Sequence, residues 1–93
     1  MDFFSALGNK NRLLIASYIR DNKEATFEQI RKEFNLNNNT LCFHITKLRK
    51  GNVIFQGKTG KPYKMTEIGE LILNSVELLL PKIKEAMIAG KIK

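Results

Sequence analysis

The chain has one cysteine, one histidine, no tryptophan and two prolines among its 93 residues. A single cysteine closes no intrachain disulfide, which excludes a disulfide-stapled scaffold and suits a reducing compartment. Cys42 and His44 flank Phe43, but a zinc site needs three or four protein ligands. Residues two apart on a helix also diverge by about 200°. No metal is therefore expected. His44 reads as a side chain at the core edge and Cys42 as a small flanking one. The sequence also lacks a nucleophile–base pair and a phosphate-binding glycine loop, so neither an enzyme nor a cofactor is expected. No apolar run approaches the roughly 20 residues of a membrane span, and no signal-peptide pattern is present. These readings put the protein in the cytoplasm, away from the membrane.

The more telling shortage is of acid. Sixteen Lys and Arg stand against nine Asp and Glu, a net charge of +7. No acid at all lies between Glu33 and Glu67, while that interval carries Lys47, Arg49, Lys50, Lys58, Lys61 and Lys64. A field of one sign over a third of the chain points to a polyanionic partner, nucleic acid or an anionic surface.

What is present fits one small domain over residues 1–93, with 43% hydrophobic and 27% charged residues. "MDFFSALG" is a short apolar segment at helical spacing. "NKNRLLIASYIRDN" follows, with Asn9 as cap and Leu13, Leu14, Ala16, Tyr18 and Ile19 as its buried side. "TFEQIRKEF" opens on a capping box, Thr26 with Gln29, and carries the stripe Phe27, Ile30 and Phe34. "NLNNN" breaks that helix, and Leu36 plugs the turn into the core. The next helix spans about 39–50, capped by Asn38 or Asn39 and stopped by a left-handed Gly51. "NVIFQ", "GKTGK" and "PYKMT" read as strand, turn and strand. Val53 and Phe55 share one face, as do Tyr63 and Met65. Thr66 caps a last helix that Pro81 kinks or divides.

On a wheel of about 100° per residue, Leu41, His44, Ile45 and Leu48 fall on the buried side of the 39–50 helix. Asn39, Phe43, Thr46, Lys47 and Lys50 fall outward, with Thr40, Cys42 and Arg49 flanking. Such side chains can hydrogen-bond base edges, touch a thymine methyl and meet phosphates. Two helices joined by a short turn, the second basic and polar-faced, describe a helix-turn-helix. Lys58, Thr59, Lys61 and Lys64 on the following hairpin describe a basic wing.

At this point the chain resembles the ArsR-like winged helix-turn-helix transcription regulators. "FFSALGNKNRLLIASYI" is similar to that family's opening "ALG-x-x-x-R-x-x-I" segment through Gly8 and Arg12, with Lys10 where a proline is common. "NNTLCFHITKLRKGNVI" is similar to its recognition helix at Leu41, His44, Ile45, Leu48 and Gly51. "KMTEIGELI" resembles its strand-to-helix junction at Thr66 and Gly69. The resemblance spans residues 1 to about 72. It implies a mainly α fold with a small β-hairpin. Metal sensing, frequent in the family, does not carry over. The positions of its paired cysteines fall in "TFEQI", and the last helix has Glu67, Glu70, Glu77 and Glu85 but no histidine.

The last helix has more apolar positions than a small core can cover. Leu71, Ile72, Val76, Leu79, Leu80 and Ile83, with Phe3 and Phe4 from the N-terminus, are the expected dimer seam. A lipid-facing helix is the rival, given Lys82, Lys84, Lys91 and Lys93. The chain thus divides into a DNA-binding core and wing, 1–66, and a C-terminal dimerisation helix, 67–93. The expected function is a homodimeric, sequence-specific regulator on double-stranded DNA in the nucleoid, acting as a repressor. The alternative is a winged helix used as a protein–protein module.

Overall fold

The computed structural model describes residues 6–79. Phe3, Phe4, Leu80, Pro81 and Ile83 lie outside the described residues, as does the side chain of Leu79. Four helices and a hairpin follow in the order α1 (Lys10–Asp21), α2 (Phe27–Phe34), α3 (Asn38–Lys50), β1 (Ile54–Gln56), β2 (Tyr63–Met65) and α4 (Glu67–Leu79). This is a winged helix-turn-helix, mainly helical with a two-stranded antiparallel sheet.

Each helix begins where a polar side chain supplies the acceptor that the first backbone N–H groups lack. Asn9 Oδ1 accepts from the N–H groups of Asn11 and Arg12 at 2.9 and 3.2 Å. Thr26 and Gln29 form the reciprocal capping box, at 3.1 and 2.8 Å. For α3 the cap is Asn37, whose Oδ1 accepts from the Thr40 N–H at 2.8 Å, and not Asn38 or Asn39. All three asparagines have the right chemistry. Helix α2 ends on Asn35 in a left-handed conformation (φ 52°), so the turn needs only Leu36 before Asn37 can cap.

The end of α3 also differs from the sequence expectation. Gly51 has φ −79°, and the left-handed residue is Asn52 at φ 60°. Asparagine tolerates that region, so the helix ends at Lys50 as expected and the left-handed reversal falls one residue later. The Val53 N–H returns to the Leu48 carbonyl at 3.0 Å, fixing the exit.

That exit sets the register of the hairpin. Ile54, Phe55 and Gln56 pair with Met65, Lys64 and Tyr63 respectively. Val53 and Ile54 are both fully buried, whereas Phe55 is 46% exposed. The expected alternation of Val53 with Phe55 is therefore wrong by one position. Val53 belongs to the tight connection, and strand alternation starts only at Ile54. The other edge of β2 is stitched to the α1–α2 connection: Ala25 and Tyr63 exchange hydrogen bonds of 3.0 and 2.8 Å. The hairpin root is thus held from both sides.

Ile15, Ile19, Ile30, Leu41, Leu48, Val53, Ile54 and Leu73 form the fully buried centre. Leu36 packs against it from the turn, as expected. On α1 the sequence pattern overlooks Ile15, and Leu14 is only half-buried. Helix α4 closes the domain by two devices. Leu73 enters the core, and Glu77 accepts from Nη1 and Nη2 of Arg20, at 2.6 and 3.2 Å, and from the Ser17 hydroxyl at 3.0 Å. Arg20 also reaches Asn74 at 2.9 Å.

Candidate nucleic-acid interface

Helix α3 divides as its pattern requires. Leu41, His44, Ile45 and Leu48 are buried, and Asn39, Phe43, Thr46, Lys47, Arg49 and Lys50 are exposed. Thr40 is half-buried in the first turn, where its N–H meets the Asn37 cap. Lys47 holds its ammonium 5.5 Å from the centre of the Phe43 ring one turn away, a cation–π spacing. Phe43 is 55% exposed, so this pair stands on the outer surface. Thr46, Arg49 and Lys50 border a shallow depression at the other end of the helix. Three cations in the last turn complement the helix dipole and bring no acid with them.

The inner side of α3 is anchored through its histidine. His44 is only 6% exposed, and its Nδ1 lies 3.4 Å from Arg12 Nη1 on α1. The guanidinium can only donate, so Nδ1 is the accepting atom and the ring is neutral. Burial, then the charge of Arg12, hold the imidazole below its ordinary titration range. Arg12 Nε in turn donates to the Ala6 carbonyl at 2.7 Å. Arg12 was legible only through the family resemblance. Nothing in residue spacing pairs it with His44.

The wing residues Lys58, Thr59, Lys61 and Lys64 are all exposed. Gly60, at φ 88°, supplies the left-handed residue of their turn. Gln56 Nε2 donates to the Lys61 carbonyl at 2.8 Å and ties the turn to its own strand. β2 packs against α1 and β1 against α3; Tyr63 of β2 is buried, and burial chiefly pushes its phenol above its usual range. Arg49 and Cys42 of α3 lie close enough to act on it. The Lys64 ammonium also lies 3.7 Å from Glu24, an exposed pair that water screens. The acid-free run in the sequence does not exclude an acid arriving from the α1–α2 connection.

The structure thus brings Phe43 with Lys47, and Thr46 with Arg49 and Lys50, onto one helix surface. Phe55 beside Lys61 and Lys64 was missed, because the sequence expectation set it on one face with Val53 and gave it no part in the wing. Cys42 is exposed. Among the described residues no three His, Cys, Asp or Glu side chains cluster, and no helix is long and apolar enough to cross a membrane.

The chain is similar in structure to a transcriptional regulator homologue protein from Pyrococcus horikoshii OT3. The TM-score is 0.72 at 23% sequence identity, over 89% of this chain and 88% of that chain. At that identity the likeness establishes the fold. No protein-family model and no curated protein matches the chain.

Proposed function

We propose that this protein is a transcription regulator that binds double-stranded DNA in sequence-specific fashion with α3 in the major groove. One observation carries the reading: the exposed face of α3 is polar, aromatic and cationic without an acid, beside a lysine-bearing wing. Asn39, Thr40, Phe43, Thr46 and Lys47 are the base-facing residues. Arg49, Lys50 and the wing residues Lys58, Thr59, Lys61 and Lys64 hold the phosphate backbone. The regulator-homologue name of its structural neighbour agrees with this role, and the ArsR-like resemblance supports a repressor that acts by occlusion. A DNA-binding role belongs in the cytoplasm, on the nucleoid.

The active form is a homodimer joined through α4. Leu71 and Leu78 are 59% and 79% exposed on a helix whose Ile72 and Val76 pack partly against its own core. Two wet leucines two turns apart on this helix support a second copy as its cover. A twofold pair would present two α3 helices roughly 34 Å apart and favour pseudo-palindromic sites.

Duplex binding across a salt series tests the reading, comparing wild type with Lys47→Ala/Lys50→Ala. Counterion release predicts a steep fall in affinity with salt and a slope reduced by roughly 0.9 in the double variant, through the phosphate contact of Lys50. Absence of binding at low salt would instead favour the protein–protein module.

A further inference from the structure

Phe55 has no place in the interface as the sequence describes it. In the register of the hairpin it stands directly opposite Lys64. Side chains of paired residues emerge on the same face. Ile54 and Tyr63 turn into the core, so Phe55 and Lys64 turn away from it. A phenylalanine ring left 46% exposed on a three-residue strand forgoes burial that a core position would give it.

Its surroundings select among partners. The ring lines a depression of about 290 Å³ together with Glu24, Gly57, Lys61, Pro62 and Lys64. Two lysines flank it, and the single acid, Glu24, is engaged by Lys64. Lys58 follows one residue after Gly57. A side chain built at Gly57 would meet nothing within 4 Å, so the edge of the depression is open. An apolar ring between cations matches a nucleotide unit of a polyanion: the ring packs on a sugar face while ammonium groups meet the flanking phosphates. A purely ionic wing needs no aromatic, and an apolar protein partner needs no lysines.

We propose that Phe55 is a DNA-contacting residue, packing its ring against a deoxyribose of the duplex while Lys61 and Lys64 meet the adjoining phosphates. This rests on the duplex-binding reading above. It adds a contact of different physics, apolar and insensitive to salt, to a surface otherwise read as ionic and polar.

The two kinds of contact separate in one experiment. Affinity for a mixed-sequence DNA duplex is measured over a salt series for wild type, Phe55→Ala and Lys61→Ala. Phe55→Ala weakens binding roughly five- to tenfold at every salt and leaves the log–log slope unchanged. Lys61→Ala lowers the slope by about 0.9. Phe55→Trp then reports directly. The chain has no tryptophan of its own, and an indole at an exposed site preserves the fold. Its emission is quenched or shifted at saturating duplex. Wild-type affinity in Phe55→Ala, or an unchanged emission spectrum, overturns the contact. A slope that falls in Phe55→Ala as it does in Lys61→Ala also overturns it, by assigning the effect to the lysines. Failure of the wild type to bind duplex at low salt removes the underlying reading. Wild-type binding with an unaffected Phe55→Ala removes this contact alone.

Discussion

Gly69, in the first turn of α4, lies directly against the carbonyl of Val53. A Cβ built on Gly69 would penetrate that oxygen and come within 2.8 Å of Thr66 Oγ1. The same carbonyl accepts from the Thr66 N–H at 2.9 Å, and Thr66 Oγ1 donates to the Asn52 carbonyl at 2.7 Å and accepts from the Gly69 N–H at 2.8 Å. The exit of α3 and the entry of α4 are therefore one hydrogen-bonded knot, closed only because position 69 has no side chain.

Gly69→Ala decides between two effects of opposite sign. Helix propensity favours alanine by about 1 kcal/mol. The obstacle is backbone, which cannot rotate away, and overpacking of this kind costs about 1–3 kcal/mol. The knot must open or α4 must tilt, so the variant is expected to be less stable. Thermal unfolding checks this. A lowered midpoint supports the close approach, and a raised one would show that the helices separate freely.

Lys23 predicts the reverse. It is exposed and stands at φ 71°, while its N–H donates to the Arg20 carbonyl at 3.1 Å. A left-handed conformation costs an ordinary residue about 1–2 kcal/mol, and glycine escapes that while losing about 0.5–1 kcal/mol of chain entropy. Lys23→Gly should stabilise the fold by up to about 1 kcal/mol, read as a higher urea midpoint with an unchanged m-value.

His44 makes stability depend on pH in a defined direction. Its folded-state pKa lies below the ordinary value, from burial and from Arg12. The stability it contributes is complete above its unfolded value of about 6.5 and is lost as pH falls from there towards the folded value. Urea unfolding between pH 7.5 and 5.5 should show declining stability in the wild type and a flatter profile in His44→Gln. Glu28, whose carboxyl Arg31 holds below its usual range, contributes above its unfolded value of about 4.3. That contribution fades at more acid pH, below the histidine window. Equal slopes in the two proteins would place the titration elsewhere.

Much of the fold was legible because local chemistry and periodicity agreed. Asn9 and the Thr26–Gln29 box begin helices where their types require, and Leu41, His44, Ile45 and Leu48 are buried at three- and four-residue steps. The errors fall where neighbouring residues have equal local fitness. Asn37, Asn38 and Asn39 can each cap, and only the left-handed turn at Asn35 selects the first. "NVIF" holds three apolar residues in a row, and alternation cannot say which begins the strand.

By itself the sequence determined the order of elements, the basic outward face of α3 and the winged helix-turn-helix class, since these rest on side-chain period, caps and charge within single segments. Tertiary structure alone decided that Phe55 is outside and Val53 inside, that Glu24 reaches Lys64, that Arg12 meets His44, and that Gly69 seats α4 on the Val53 carbonyl. Each joins residues distant in sequence or depends on a strand register. Both are fixed by how the chain exits α3 and where α4 lands, which no local pattern encodes.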